Sequence, residues 1–315
     1  MGANHVRILA NLEGVELVGV ADSAGINFEL PPGVKLVKTV EELVAIGIDY
    51  CVISAPTASH EEIALQIIDA GIHILVEKPL AHTYESAINI KTAALARNVI
   101  GGVGHIERYN SALQQARERV LSGELGAIYQ IATRRQGPFP ARIADVGVVK
   151  DLATHDIDLT SWITQKEYLQ VSAHSAYKSG RQHEDLITVS GLLQDSIVVN
   201  HVVNWLSPLK ERKIIITGER GTYVADTLRA DLTFYENGRI DISQTEMARF
   251  RGVTQGDVHI LSFEKPEPLM LEHSNFRDAV LGKKHQIVSL EQGAKTVKIA
   301  DAILESAKNM DTVKL

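Results

Sequence analysis

Cysteine is nearly absent from this 315-residue chain: Cys51 is the only one, so no intramolecular disulfide can form. It lies in the apolar run Tyr50-Cys51-Val52-Ile53, where a buried, inert thiol is expected, and a reducing cytoplasm suits such a chain. The 12 histidines are scattered, and no Cys-x-x-Cys or His-x-x-x-His spacing occurs, so no metal site is expected. An excess of positive charge is also missing. The net charge is −7 without any block of like charges, which argues against a duplex nucleic-acid partner, since that would need a basic stripe to neutralise phosphates. No apolar run approaches the roughly 18 to 20 residues of a membrane span. The sequence does not open with a basic stretch followed by an apolar one, so no secretory leader and no membrane partner are expected. What is there, 45% hydrophobic and 23% charged residues, is the profile of a globular protein long enough for two domains.

The first third alternates short β-rich runs with helical stretches. Strands are expected over 15–20, 34–37, 50–54, 72–76 and 99–103, and helices over 5–12, 40–46, 60–70 and 83–97. In the segment from His60 to Gly71, Ser59 is the expected N-cap, Glu61 and Glu62 suit the positive end of the helix dipole, and Gly71 ends the helix. Such alternation predicts parallel βαβ units with right-handed crossovers.

After about Gly104 the pattern changes. A helix over 111–122 leads into a strand over 128–134, and a second helix covers 152–162. Strand patterns then recur between 169 and 236, and a last helix spans 289–308. The expected fold is therefore α/β. Residues 1–103 form a Rossmann-like domain with a parallel sheet, and residues 104–315 form an α+β domain with a large, mostly antiparallel, open-faced sheet.

A dinucleotide-binding domain normally opens with a strand that feeds a Gly-rich turn at a helix N-terminus, where backbone amides and the helix dipole meet the pyrophosphate. Here the sequence opens Met1-Gly2-Ala3-Asn4-His5 and runs directly into a helix. Gly2 fits the last glycine of G-x-G-x-x-G, and the first strand and first two glycines are absent; the favoured expectation is a native protein that begins further upstream, the alternative a chain that binds cofactor poorly. Asp22 follows Gly2 by 20 positions and closes VELVGVAD, where an acid would hold the ribose hydroxyls and favour NAD over NADP. The bland alternative for Asp22 is a turn residue before Ser23.

Four further motifs occur in order. The run YCVIS leads into Ala55-Pro56-Thr57-Ala58-Ser59-His60. The next strand ends in Glu77-Lys78-Pro79. Gly104-His105-Ile106-Glu107-Arg108-Tyr109 follows, and Asp151-Leu152-Ala153-Thr154-His155-Asp156-Ile157-Asp158 comes later. Together they resemble the glucose–fructose oxidoreductase/inositol 2-dehydrogenase/rhizopine catabolism (Gfo/Idh/MocA) family over nearly the whole chain. The resemblance implies a nicotinamide-dependent sugar dehydrogenase. It puts Ser54, Pro56, Thr57 and His60 beside the nicotinamide ribose, with Glu77 and Lys78 in the E-K-P signature of the cofactor edge. Arg108 and Tyr109 would lie on the substrate side, and Lys78, Asp151 and His155 would perform the chemistry.

The residues themselves agree with that carry-over. Asp151 and His155 are four apart and share a helix face. Lys78 lies at the carboxyl end of a parallel strand, in the crevice where such sheets bind ligands, and Pro79 biases it to an extended conformation. A histidine suits the task of removing a hydroxyl proton, and a lysine near the reacting oxygen would stabilise developing charge. Asp158, between Ile157 and Leu159, reads as structural. The second tripeptide, Glu264-Lys265-Pro266, follows no parallel strand and reads as a loop coincidence.

For the substrate, Arg134-Arg135-Gln136-Gly137-Pro138-Phe139-Pro140 and Arg142 resemble family members that oxidise the 3-hydroxyl of UDP-N-acetylglucosamine. Arg134, Arg135 and Arg142 would then meet a diphosphate. The open sheet face predicts a homodimer or homotetramer. Two other functions fit the same sequence: an NAD-dependent glycosidase of this fold, and a non-catalytic sugar or nucleotide sensor.

Overall fold

The computed structural model describes residues 1–140, 146–238 and 254–315. The chain divides into two compact units. The first comprises Met1–Tyr109 with Pro266–Asp301, and the second Asn110–Lys265 with Ala302–Leu315. The first segment therefore ends six residues beyond the expected 103/104 boundary, and residues 266–301 return to the first unit. That return has a packing cause: Gly102 bridges Ser289, and Val288 and Leu290 are buried in the first unit's core.

In the first unit, β1 (Gly19–Ala21) pairs in parallel with β2 (Lys35–Val37). Separately, β3 (Tyr50–Ile53), β4 (His73–Glu77) and β5 (Gly101–Gly104) form a parallel sheet in that order. The strand expected over 15–20 is shorter than its apolar pattern. Its ladder is made with β2 alone and covers only three residue pairs.

Helices α1 (Gly2–Leu9), α2 (Val40–Val44), α3 (His60–Asp69) and α4 (Tyr84–Ala96) alternate with these strands. The buried residues of α3 are His60, Ala64, Ile67 and Ile68, the i, i+4, i+7, i+8 stripe of a helix facing a core. Burying each isoleucine side chain contributes about 1.5–3 kcal/mol. Gly71, at φ 76°, takes the left-handed position that ends the helix, as expected. The expected Ser59 cap does not form. Ser59 belongs to a 3₁₀ turn, Thr57–Ser59, and its own backbone is already helical (φ −95°, ψ −4°), so its hydroxyl makes no cap bond.

The second unit holds a nine-stranded sheet in the order β13-β12-β11-β10-β6-β9-β8-β7-β14. Its strands are β6 (Ile128–Pro138), β7 (Tyr168–Ala176), β8 (Leu186–Leu193), β9 (Val198–Asn204), β10 (Leu206–Gly218), β11 (Gly221–Asp226), β12 (Asp231–Gly238), β13 (Thr254–Leu261) and β14 (Val313–Lys314). All pairings are antiparallel except β6 with β9. Helices α5 (Ser111–Leu121) and α6 (Thr154–Thr164) belong to this unit. Along β6, Ile131, Thr133 and Arg135 are buried while Arg134 is exposed, the two-residue alternation of a sheet with one covered face. Helix α7 (Pro268–Val280) belongs to the first unit, and α8 (Leu290–Asn309) begins in the first and ends in the second. Among the described residues, no helix is long and apolar enough to cross a membrane.

Candidate active site

The carboxyl ends of β1, β3 and β4 carry the residues expected at the cofactor. Helix α1 starts at Gly2, and Met1 makes no side-chain cap bond there; amides at a helix start are the groups that meet an anion in such folds. A Cβ on Gly2 would stand 3.4 Å from Ser54 Oγ, so the helix start and the end of β3 are brought together. Asp22 lies just beyond β1, where its backbone N–H reaches Val37 O. Its Oδ1 accepts from Ala24 N–H at 3.0 Å, so the turn role and a ribose role fall on one carboxylate. Pro56 is exposed, and Thr57 is buried in the 3₁₀ turn. His60 is buried, with Nδ1 3.0 Å from Pro79 O and Nε2 2.9 Å from Ala55 O. It clasps the turn after β3 to the turn after β4, and neither ring nitrogen is left for a ligand. These groups fit a dinucleotide: an uncapped helix start, a glycine close to the neighbouring strand end, and an acid after the next strand.

Lys78 follows directly on β4 and is half-buried, and its bond to Pro79 is cis. Glu77, expected at the cofactor, is instead committed inside the unit. Its Oε1 receives His5 Nε2 at 2.9 Å, and its Oε2 accepts the Lys78 backbone N–H at 3.1 Å. The fit opposite is tight: a Cβ on Gly104, the β5 residue paired with Glu77, would come 3.3 Å from Glu77 Cα. His5 Nδ1 lies 2.8 Å from Nε2 of His273 on α7. Burial and the neighbouring Glu77 charge push the carboxyl of Glu272 well above its ordinary value, while the bond to His5 holds Glu77 below its own despite burial. The sequence reading missed His5, Glu272 and His273. The signal for them was two histidines and two acids in otherwise apolar helix and strand contexts.

In the second unit, Asp151 is buried in a π-helical turn, Val149–Ala153, and the half-buried His155 opens α6 one turn later. The expected single helix over 152–162 is thus a π turn followed by an α-helix. Its cause is local. Val149 N–H donates to Glu184 Oε1 at 3.0 Å, and Thr154 returns its hydroxyl to Lys150 O. A Cβ on Gly147 would collide with the Glu184 carboxylate, so the glycine leaves room for this acid beneath the turn. Glu184 was not foreseen. Asp156 and Asp158 are both buried, as a structural role requires.

The expected substrate-side residues that are described make contacts within their own units. Arg108 is buried and donates to Gln292 Oε1 at 3.1 Å, and Tyr109 Oη donates to Gln286 O at 3.1 Å, both within the first unit. Arg135 is buried, with Nε 3.1 Å from both carboxylate oxygens of Asp156. Arg134 points to the opposite face of β6 and lies 3.6 Å from Glu211. Strand alternation therefore prevents adjacent arginines from sharing one diphosphate. Arg142 lies outside the described residues. Lys265, in the second tripeptide, donates to Asp231 Oδ1 at 2.7 Å and Arg229 O at 2.9 Å. Cys51 is half-buried and its thiol is pushed up to about 12 by burial, which makes it inert.

Comparison with known proteins divides the sequence at a similar first boundary, although the C-terminal profile runs on through residues 266–301. The family profile described as "Oxidoreductase family, NAD-binding Rossmann fold" matches residues 1–105, and "Oxidoreductase family, C-terminal alpha/beta domain" matches residues 117–315. UDP-N-acetylglucosamine 3-dehydrogenase of Acidithiobacillus ferrooxidans is 29% identical over 200 residues, 64% of this chain and 62% of that protein. Inositol 2-dehydrogenase 2 of Saccharopolyspora erythraea is 28% identical over 218 residues, 64% of each. The chain thus matches less than two thirds of the length of these curated relatives. Among solved structures, the Acidithiobacillus ferrooxidans UDP-N-acetylglucosamine 3-dehydrogenase has a TM-score of 0.80 at 24% identity, covering 98% of this chain and 94% of that one. The WlbA dehydrogenase from Bordetella pertussis, solved with NADH and UDP-GlcNAcA, has a TM-score of 0.81 at 20% identity, covering 100% and 94%. At these identities the likeness is one of fold.

Proposed function

The chain belongs to the Gfo/Idh/MocA oxidoreductase family, and from that premise we propose that it oxidises a hydroxyl of a sugar or sugar nucleotide with NAD. The observation that carries this reading is Lys78, half-buried at the carboxyl end of β4, the edge at which parallel sheets bind ligands. NAD, when bound, supplies the hydride acceptor. The first amides of α1 would hold its pyrophosphate, and Asp22 its adenosine ribose. His155 takes the hydroxyl proton, because an imidazole is a competent base near neutral pH. Lys78 stabilises the negative charge that grows on the reacting oxygen as that proton leaves. Asp151, held in its buried turn by Glu184, binds a neighbouring hydroxyl and fixes the sugar's orientation.

The finer reading is oxidation of the 3-hydroxyl of UDP-N-acetylglucosamine. The relative of that name supports it at 29% identity. The arginine argument supports it less than the sequence suggested, because Arg135 is committed to Asp156 and Arg134 to the other sheet face. Arg142, the third arginine of the motif, is the one whose part in holding a diphosphate the test addresses. The test is NADH formation from UDP-N-acetylglucosamine, free N-acetylglucosamine, glucose and myo-inositol in parallel. UDP-N-acetylglucosamine should be used best, and Arg142→Ala should remove its advantage while Arg134→Ala leaves it intact. A free sugar or inositol that matched it would end the nucleotide reading but not the dehydrogenase reading. No NADH from any of the four would count against both.

A further inference from the structure

Three hydrogen bonds run in series toward Lys78. His273 Nε2 meets His5 Nδ1 at 2.8 Å, His5 Nε2 meets Glu77 Oε1 at 2.9 Å, and Glu77 Oε2 receives the Lys78 backbone N–H at 3.1 Å. All three side chains are buried, His273 completely. We propose that His5 and His273 are positioning residues: they hold Glu77, and through it the backbone of Lys78, in one orientation. The proposal rests on the role given to Lys78 above.

Proton counting fixes the direction of the series. Glu77 is held ionised, so it can only accept, and His5 Nε2 must donate to it. His5 Nδ1 then faces His273 Nε2 with one proton to share. If His5 supplied it, His273 would carry its own proton on Nδ1, which is buried and meets no partner among the described residues. An orphaned buried donor is strongly disfavoured, because it gives up its bond to water without replacement. If His273 Nε2 donates instead, the unpartnered Nδ1 is a bare acceptor, and both rings are neutral. Burial pushes His273 down to about 3, which agrees. The cluster therefore carries one negative charge, on Glu77, and every proton in it points toward that carboxylate.

Such a chain differs from a stability device. A buried ionic group is seldom retained for stability alone, since apolar residues of similar volume often serve as well. Here both carboxylate oxygens are used, and the second binds the backbone of the proposed catalytic lysine. Loss of the far end should free Glu77 to rotate and let Lys78 drift, and misplacement by about 1 Å costs up to about a hundredfold in rate.

The first test needs no turnover. With ¹⁵N-labelled histidine, NMR of the unmodified protein should find His5 and His273 both neutral with the proton on Nε2. A proton on Nδ1 of His273, or a doubly protonated His5, would overturn the direction of the chain. The second test is kinetic. His273→Leu should lower kcat about tenfold with KM for NAD and for sugar nearly unchanged, and His273→Gln, whose amide can donate to His5, should recover most of it. A His273→Leu protein with full kcat and a lowered melting temperature would make the cluster structural only. If His273→Leu does not fold, His273→Asn, too short to reach His5, takes its place against His273→Gln under the same criteria. Should Lys78→Ala itself prove silent, the role of Lys78 falls, whereas the tautomers stand or fall on the NMR alone.

Discussion

Arg135 and Asp156 are bound to one another in the covered face of the large sheet, with the guanidinium Nε 3.1 Å from both carboxylate oxygens and both residues buried. This pair joins β6 to the second residue after Thr154 at the start of α6, and so fixes the helix that carries His155. Removing one partner leaves an uncompensated buried charge, which costs about 3–5 kcal/mol. Arg135→Ala should therefore lower the unfolding free energy read from a urea titration by that amount, and Arg135→Met combined with Asp156→Leu should recover most of it. An Arg135→Ala protein of full stability with lost affinity for UDP-sugars would return Arg135 to the substrate.

Two buried histidines contribute to the acid limb of the stability curve. Burial and the Arg135 charge push His201 down from 6.5 to about 4, and burial and His5 push His273 down to about 3. Both are neutral in the fold near pH 7. Below 6.5 the unfolded chain takes up protons that the folded one does not, so stability falls as the pH drops, by up to about 1.4 kcal/mol per unit for each histidine. Glu272 acts with the opposite sign. Its carboxyl stays protonated above 4.5, so stability falls as the pH rises past that value. His201→Asn should flatten the acid limb, and Glu272→Gln should raise the urea midpoint more at about pH 8 than at about pH 5. Parallel curves for wild type and Glu272→Gln would mean that this carboxyl ionises normally.

The parallel strand–helix alternation, the antiparallel second sheet and the position of Lys78 were legible because each follows from local periodicity or from a strand-end motif. Strand β13 was not: five of its first seven residues are Thr254, Gln255, Gly256, Asp257 and His259, without an apolar alternation to read. The first unit's discontinuity was equally hidden, since nothing local marks residues 266–301 as returning to an earlier core. The Glu77–His5–His273 series joins residues 72 and 268 positions apart, so no spacing rule could assemble it. Arg134 and Arg135 were misread together because charge was counted along the chain, whereas a strand sends neighbours to opposite faces. Asp151 and His155 were read as sharing a helix face, and the π turn became visible only once Glu184 was found beneath it.

The two E-K-P tripeptides separate chemistry from coincidence. Lys78→Ala should reduce turnover at least about a hundredfold, the scale of a lost acid–base or charge-stabilising group. Lys265 holds Asp231 on an exposed surface, and such pairs contribute about 0–1 kcal/mol. Lys265→Ala should leave kcat unchanged and shift the melting temperature little. The reverse pattern, a silent Lys78→Ala beside a damaging Lys265→Ala, would move the active lysine to the second unit.

The open face of the large sheet offers the remaining prediction. Ile214 and Ile216 of β10 are buried, while Ile215 between them is 37% exposed on the other face. On that face its register partners are Ala132 of β6 and Val224 of β11, and Val198 and Val202 of β9 share it. This apolar patch on β11, β10 and β6, bordered by Asn200 where β9 meets Ala132, is the kind of surface that a second copy covers in a symmetric contact. Light scattering coupled to size exclusion should find a dimer or tetramer for the unmodified chain. Ile215→Glu, which sets like charges opposite one another across a two-fold contact, should shift it toward monomer without unfolding, because an isolated surface change costs within about 0.5 kcal/mol. A monomeric wild type, or an Ile215→Glu protein of unchanged size, would mean that this face is not where copies meet.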